Sequence, residues 1–323
     1  MVAAVAVAAA LSCRPEAGLG SVSLTRGTHV EVVDLATCSR RTGPAPSAAP
    51  PGIASPDGRS VAAIRVVHAA NAHVGSQAIT VRDRASGRTR DVYRVRESYA
   101  RVPAGEPGRL GLVGWSPDGR WLLFYLDPMG SASIAADGLQ LEVVSARGGK
   151  PIPIAGMLMY PDYLDWCGGN LILTGGGDRI ATTNKRLLVA SPPAWRARTL
   201  ESAPVRAWGA LTCAPDGHSL VVQSQAASVD ANFFHTHWSL WRIGLDGTRN
   251  RLTTPPSGYA DESPQFSRDG KTILFVRSRN GIGSLYALRD GTLLGPLLSL
   301  GYQLGYFGHE DWWQTAAWSL AAR

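Results

Sequence analysis

The sequence predicts an all-β chain whose four-stranded repeats close into a six-bladed propeller, and three observations carry that expectation. A Pro-Asp-Gly turn set before an apolar run, as in "WSPDGRWLLFYLD" from Trp115 to Asp127, recurs along the chain. Its copies fall at intervals that fit one blade each. The two chain ends look like the two missing parts of a single blade.

Composition points the same way. The 323 residues include 36 glycines and 21 prolines spread along the chain, so turns are frequent and strands short. Hydrophobic residues make up 45%, which excludes a disordered chain and one built of membrane spans. No long stretch carries apolar residues at helical spacing.

The first clear copy of the repeat is "ASPDGRSVAAIRV" from Ala54, followed by the stretch at Trp115, "CAPDGHSLVVQSQ" from Cys213 and "FSRDGKTILFVRS" from Phe266. A degenerate copy, "DWCGGNLILTGG", has Trp166 at the same anchor position. The anchors Ala54, Trp115, Trp166, Cys213 and Phe266 are then 61, 51, 47 and 53 residues apart. The first interval is the loosest, and "ESYARVPAGEPGRL" reads as its long connecting loop.

Turn chemistry explains the motif. Proline has its φ set for a type I turn, aspartate hydrogen-bonds nearby backbone, and glycine takes the left-handed position without steric cost. Pro56-Asp57-Gly58, Pro117-Asp118-Gly119, Pro215-Asp216-Gly217 and Asp269-Gly270 are therefore expected to be structural turns, not catalytic carboxylates. The β-branched, leucine and aromatic residues that follow suit a buried strand. Later strands of the period lie in "LQLEVVSARGGKP", "HWSLWRIGLDGTRNRLT" and "GSLYALRDGTLL". About four strands in a period of 40–50 residues describe a propeller blade.

At the ends, Gly20 to Pro44 reads as the second, third and fourth strands of a blade that lacks its first. "QTAAWSLAAR" reads as the missing anchor strand, with Trp318 placed 52 residues after Phe266. Joined, they make a sixth blade and remove an exposed sheet edge.

These turns resemble those of the TolB-like, WD-like propeller family, whose mark is a W-S-P-D-G-R/K turn before an apolar strand. The resemblance runs from about Gly20 to Arg323 and implies a single propeller domain over residues 19–323. Two copies depart from it: "WCGGNLIL" lacks Pro and Asp, and Arg268 replaces the proline of the last copy.

Residues 1–18 are expected to form a signal-like or disordered segment. The run "MVAAVAVAAALSC" is apolar and too short to span a bilayer, and Ala8 and Ala10 fit an A-x-A cleavage site. It also offers Cys13 as a lipidation residue in a loose lipobox, although no Lys or Arg precedes it. No transmembrane helix is expected, and the location expected is periplasmic, secreted or surface-anchored.

The net charge of +7 is scattered, with no basic stripe interleaved with aromatics, so nucleic acid is not an expected partner. The four cysteines form no C-x-x-C pair. Cys167 and Cys213 lie near neighbouring anchor strands but are offset by one position in the repeat. Buried free thiols are expected there rather than a bond.

Nucleophile-elbow, phosphate-loop, H-E-x-x-H and dinucleotide signatures are absent. His235 and His237 of "FFHTHW" alternate onto one strand face, yet no third metal ligand is evident. More promising are the segments just before the anchor strands, which border one mouth of the central channel. They supply His309, Glu310, Asp311 and Trp312 of "FGHEDWWQ", Asp261 and Glu262, Asp162 and Tyr163, and Arg206 and Trp208. A rim of acids, aromatics and one arginine suits a peptide segment or a cation.

The reading that results is an exported, non-catalytic, monomeric binding propeller. Its partner would be an envelope or secreted protein or peptide, with no cofactor. The alternatives are a metal-assisted hydrolase or lyase using His235, His237 or His309, and an envelope-polysaccharide binder using the Trp312-Trp313 pair.

Overall fold

A computed structural model of the chain describes residues 12–319 apart from 27, 46–51, 68–75, 96–108, 128–137, 202–204, 230–235, 304, 306, 311 and 313–315. Its strands form six four-stranded antiparallel sheets. Sheet I holds β1 (Ser21–Arg26), β2 (His29–Asp34) and β3 (Arg40–Pro44). Sheet II holds β4 (Ile53–Ala54), β5 (Ser60–Val67), β6 (Ser76–Asp83) and β7 (Thr89–Arg94). Sheet III holds β8 (Arg109–Trp115), β9 (Trp121–Asp127), β10 (Leu139–Ser145) and β11 (Ile152–Met157). Sheet IV holds β12 (Leu164–Cys167), β13 (Asn170–Gly175), β14 (Arg186–Ala190) and β15 (Arg198–Glu201). Sheet V holds β16 (Arg206–Cys213), β17 (Ser219–Ala226), β18 (Ser239–Gly244) and β19 (Arg249–Arg251). Sheet VI holds β20 (Ala260–Phe266), β21 (Thr272–Arg279), β22 (Ile282–Arg289) and β23 (Thr292–Tyr302).

The fourth strand of sheet I comes from the far end of the chain. β24 (Ala316–Ser319) pairs antiparallel with β1, with Val22 opposite Trp318 and Leu24 opposite Ala316. This is the splice expected of the two half-blades.

The turn motif works as its residues predict, with one addition. Asp57, Asp118, Asp216 and Asp269 each accept the backbone N–H two residues on, at 2.8–3.1 Å. In three copies the serine two places earlier adds a second clasp. Ser55, Ser116 and Ser267 donate to the aspartate at 2.5–2.7 Å and accept the N–H that opens the next strand. Gly58, Gly119, Gly217 and Gly270 sit at φ of +68 to +72°, where any side chain is strained. Sheet IV departs from the motif as its sequence does, turning on Gly168 and Gly169 at +54 and +84°.

Alternation along the strands gives each sheet two apolar faces, and successive sheets bury them against one another. Ile79 and Val81 of sheet II meet Leu122 and Phe124 of sheet III. Leu141 and Val143 of sheet III meet Leu171 and Leu173 of sheet IV. Ile172 and Val189 pack on Leu220 and Val222 of sheet V, and Val221 and Leu240 pack on Ile273 and Phe275 of sheet VI. Leu274, Val276 and Leu285 of sheet VI then meet Val22, Leu24 and Val33 of sheet I.

Two expectations about sulfur are corrected. Cys167 and Cys213 form a disulfide with Cα atoms 5.4 Å apart, stapling sheet IV to sheet V. The offset in the repeat does not prevent this, because the degenerate Gly168-Gly169 turn lies directly against Gly217 of the next sheet. Cys13 bonds to Cys38, so its sulfur has no free valence for a lipid thioether. Residues 12–14 lie along the outer edge of sheet VI. Ser299 N–H donates to Ser12 O, Arg14 N–H donates to Leu297 O, and Cys13 bridges Leu298. The Cys13–Cys38 bond thereby ties that edge to the β2–β3 turn of sheet I.

Candidate functional site

The first strands of sheets IV, V and VI, β12, β16 and β20, all begin at the end of their sheets opposite the turns that follow them. The segments before them, with the connection between β23 and β24, bring six of the predicted residues together. These are His309, Glu310, Trp312, Asp162, Tyr163 and Glu262. They form a buried cluster instead of a solvent-lined rim: His309 is 2% exposed, Glu310 3% and Glu262 1%.

Its centre is an imidazole clasp. A 3-10 turn at Pro161–Tyr163, with proline at its start, delivers Asp162 just ahead of β12. His309 Nε2 lies 3.0 and 3.3 Å from the two Asp162 carboxylate oxygens. The imidazole stacks on Tyr160 at 3.7 Å between centroids and meets Tyr163 edge-on at 5.2 Å. Two aromatic faces and one carboxylate fix the ring in position and tilt.

Beside the clasp lies a pair of acids. Burial, then the neighbouring Glu310 charge, pushes the Glu262 carboxyl well above its ordinary range, and the Ser278 hydroxyl donates to it. Burial pushes Glu310 up to about 7, and the nearby His309 counteracts part of that rise. Among the described residues, the Tyr163 hydroxyl is buried without a hydrogen-bond partner, and the Trp312 side chain lies beside the Glu310 carboxyl. Trp312 fills the space against Gly283, where a side chain would collide with its ring.

The other predicted residues serve the sheets. Asp261 grips Arg277 with two hydrogen bonds of 2.6 and 2.8 Å, and the guanidinium lies 4.9 Å over the Tyr286 ring. Arg206 donates to Ser224 and covers Trp241 at 4.6 Å. Trp208 packs in the core between sheets IV and V. Asp311 and His235 lie outside the described residues. The His237 backbone N–H donates to Gln225. Among the described residues, no three His, Cys, Asp or Glu side chains are grouped to hold a metal.

Several participants carried no motif that could be read beforehand. The "GGGDRIATTNK" connection after β13 forms the bed under the clasp segment. Ala181 N–H donates to Phe307 O at 2.8 Å, Thr182 abuts Gly308, and Arg179 lies 5.2 Å over the Phe307 ring. Lys185 shapes this bed from beneath. Fully buried, it donates to the carbonyls of Asp178, Ile180 and Thr183 at 2.6–2.9 Å. Burial draws its pKa down to about 8. The glycine run was the one available signal.

Two cavities open at opposite ends of the sheets, and only the smaller touches the cluster. One of about 270 Å³ lies between β12, β16 and β20, with Asp162, Asp165 and Thr212 in its wall. A cleft of about 1050 Å³ opens at the turn end between sheets II and III, around Trp115, Trp121 and Arg120.

No protein-family model matches the chain, and no curated protein matches it. Solved structures do. A putative TolB from Agrobacterium tumefaciens is 15% identical, covering 87% of this chain and 91% of that one, with a TM-score of 0.45. TolB from Acinetobacter baumannii is 15% identical, covering 90% and 66%, with a TM-score of 0.47. Dipeptidyl peptidase 4 from Porphyromonas gingivalis is 9% identical, covering 87% and 44%, with a TM-score of 0.51. The present chain spans less than half the length of that peptidase. At these identities the likeness is one of fold. The likeness that carries weight, to the peptidase, concerns the arrangement of the sheets and not an activity.

Proposed function

We propose that the chain is an exported, monomeric, non-catalytic propeller that binds a protein or peptide at its strand-start face. The six sheets are read as blades of one closed ring, in which sheet I also meets sheet II. Export fits the sulfur chemistry, since all four cysteines are paired and such bonds persist in oxidising compartments.

One observation carries the docking face. Among the described residues, six large apolar side chains are exposed, and four of them lie at the strand-start end of sheets V and VI. Val205 directly precedes β16, and Val229 follows β17, whose last residue pairs with Arg206. Ile282 opens β22 and pairs with Tyr302, which ends β23. They are 72, 79, 60 and 59% exposed. Exposed apolar residues gathered on one face, beside a channel mouth, favour a protein surface as occupant.

The test is partner capture from an envelope extract by the wild-type protein and by variants. Val205→Glu with Ile282→Glu should abolish capture, whereas Leu293→Glu, on the opposite end, should leave it intact. Equal capture by all three would refute the docking face.

A further inference from the structure

The connection between β23 and β24 behaves as an occupant of the channel mouth. It leaves sheet VI at Tyr302, crosses to sheet IV, where Phe307, Gly308 and His309 lie, and returns to sheet VI, where Trp312 joins the core. We propose that the sheet IV bed beneath Phe307–His309 is a docking groove for a turned aromatic–glycine–histidine segment of the protein partner, and that the chain's own strap fills it until that partner arrives. This rests on the protein-binding reading above and names the chemistry of its ligand.

The resident strap shows what the groove selects. Arg179 offers a cation to an aromatic face, 5.2 Å from the Phe307 centroid. Ala181 N–H donates to the Phe307 carbonyl at 2.8 Å, a main-chain contact that does not depend on the side chain. The next residue must be glycine: it sits at φ +89°, and a Cβ there would come 3.1 Å from the Thr182 methyl. The third position needs a flat ring bearing an N–H, to stack on Tyr160 and donate to Asp162.

The groove and its occupant differ in how well they are built. The bed is organised independently of the strap, because Lys185 satisfies three of its carbonyls from below and the 3-10 turn fixes Asp162. The strap is frustrated. Phe307 is held at φ +50°, a left-handed conformation costly for a residue with a side chain. Glu310, the next residue after the clasp, is a carboxyl held 3% exposed beside the buried Glu262. A rigid seat with a strained occupant that buries an acid favours exchange for a segment that lacks those costs.

The test uses a fluorescein-labelled synthetic peptide, GYFGHED, the sequence of residues 305–311. Fluorescence anisotropy measures its binding to the full-length wild type, to His309→Ala, and to Gly308→Ala, which dislodges the strap without altering the seat. Thermal melts establish that each variant is folded. Either displaced variant should bind the peptide at least tenfold more tightly than wild type. Adding Asp162→Ala, or using the peptide GYFGAED, should reverse that gain. No saturable binding by wild type and by whichever variant folds would overturn the proposal, as would binding indifferent to Asp162. If peptide binding fails while Val205→Glu with Ile282→Glu still abolishes partner capture, the groove is wrong and the docking face stands. The converse pattern removes the docking face and keeps the groove.

Discussion

The His309 imidazole lies parallel to the Tyr160 ring, 7° between planes, while its Nε2 meets Asp162 at 3.0 Å. This one contact links the last connection of the chain to the middle of its repeat array, 147 residues earlier. Removing the carboxylate leaves a buried ring nitrogen with nothing to bond. Asp162→Ala is therefore expected to lower unfolding free energy by about 1–3 kcal/mol in urea titrations followed by tryptophan fluorescence. Asp162→Asn, which keeps a hydrogen bond, should cost less than half as much.

The neighbouring acids give the fold a pH dependence of definite sign. Burial raises Glu310 from an ordinary 4.5 to about 7, and raises Glu262 as well, so the folded chain holds protons that the unfolded chain releases. Their contribution to stability is complete below about pH 4.5 and declines as pH rises toward 7. Each group contributes a slope of at most about 1.4 kcal/mol per pH unit. Glu310→Gln should flatten that decline and be more stable than wild type at pH 8, measured by urea titrations across the range. A wild type that gained stability from pH 5 to 7 relative to the variant would contradict this.

Each disulfide staples two neighbouring sheets: Cys167–Cys213 joins IV to V, and Cys13–Cys38 joins the edge of VI to I. They close loops of 25 and 46 residues, for which chain entropy gives about 3–4 kcal/mol each. The paired substitutions Cys13→Ser with Cys38→Ser, and Cys167→Ser with Cys213→Ser, should each lower the urea midpoint. Reductant should then have no further effect on a chain that lacks all four.

Sheet I is completed by four residues of β24 paired with β1. Deleting residues 316–323 leaves β1 as an unpaired edge beside a large apolar interface. The truncated chain should elute from a sizing column as larger associated species than the full chain at the same concentration.

The fold was legible because its signal is repeated and local. Asp118 and Gly119 announce a turn wherever they occur, and the spacing of the copies needs no tertiary information. The splice of β24 onto β1 was legible for the same reason, as two half-repeats that fit. The serine clasp at Ser55, Ser116 and Ser267 went unread, although the residue was present in three copies. The site was legible only as a neighbourhood. His309, Glu310, Asp162 and Glu262 were found from their position before anchor strands. Their burial was not readable, because it arises from a strap that crosses to a sheet far away in sequence. Arg206 and Asp261 shared the position but turn to Trp241 and Arg277. Lys185 carries no motif at all, since its three partners are backbone carbonyls. The Cys167–Cys213 bond was hidden by the very turn that departs from the repeat.

Hydrogen–deuterium exchange with and without the protein captured from envelope extract tests the docking face most directly. The expected result is slowed exchange confined to the strand-start end, in peptides covering Val205, Ala227–Val229, Arg279–Gly283 and Tyr302. Protection confined to the turn end, around Ser116–Trp121 and its large cleft, would contradict it.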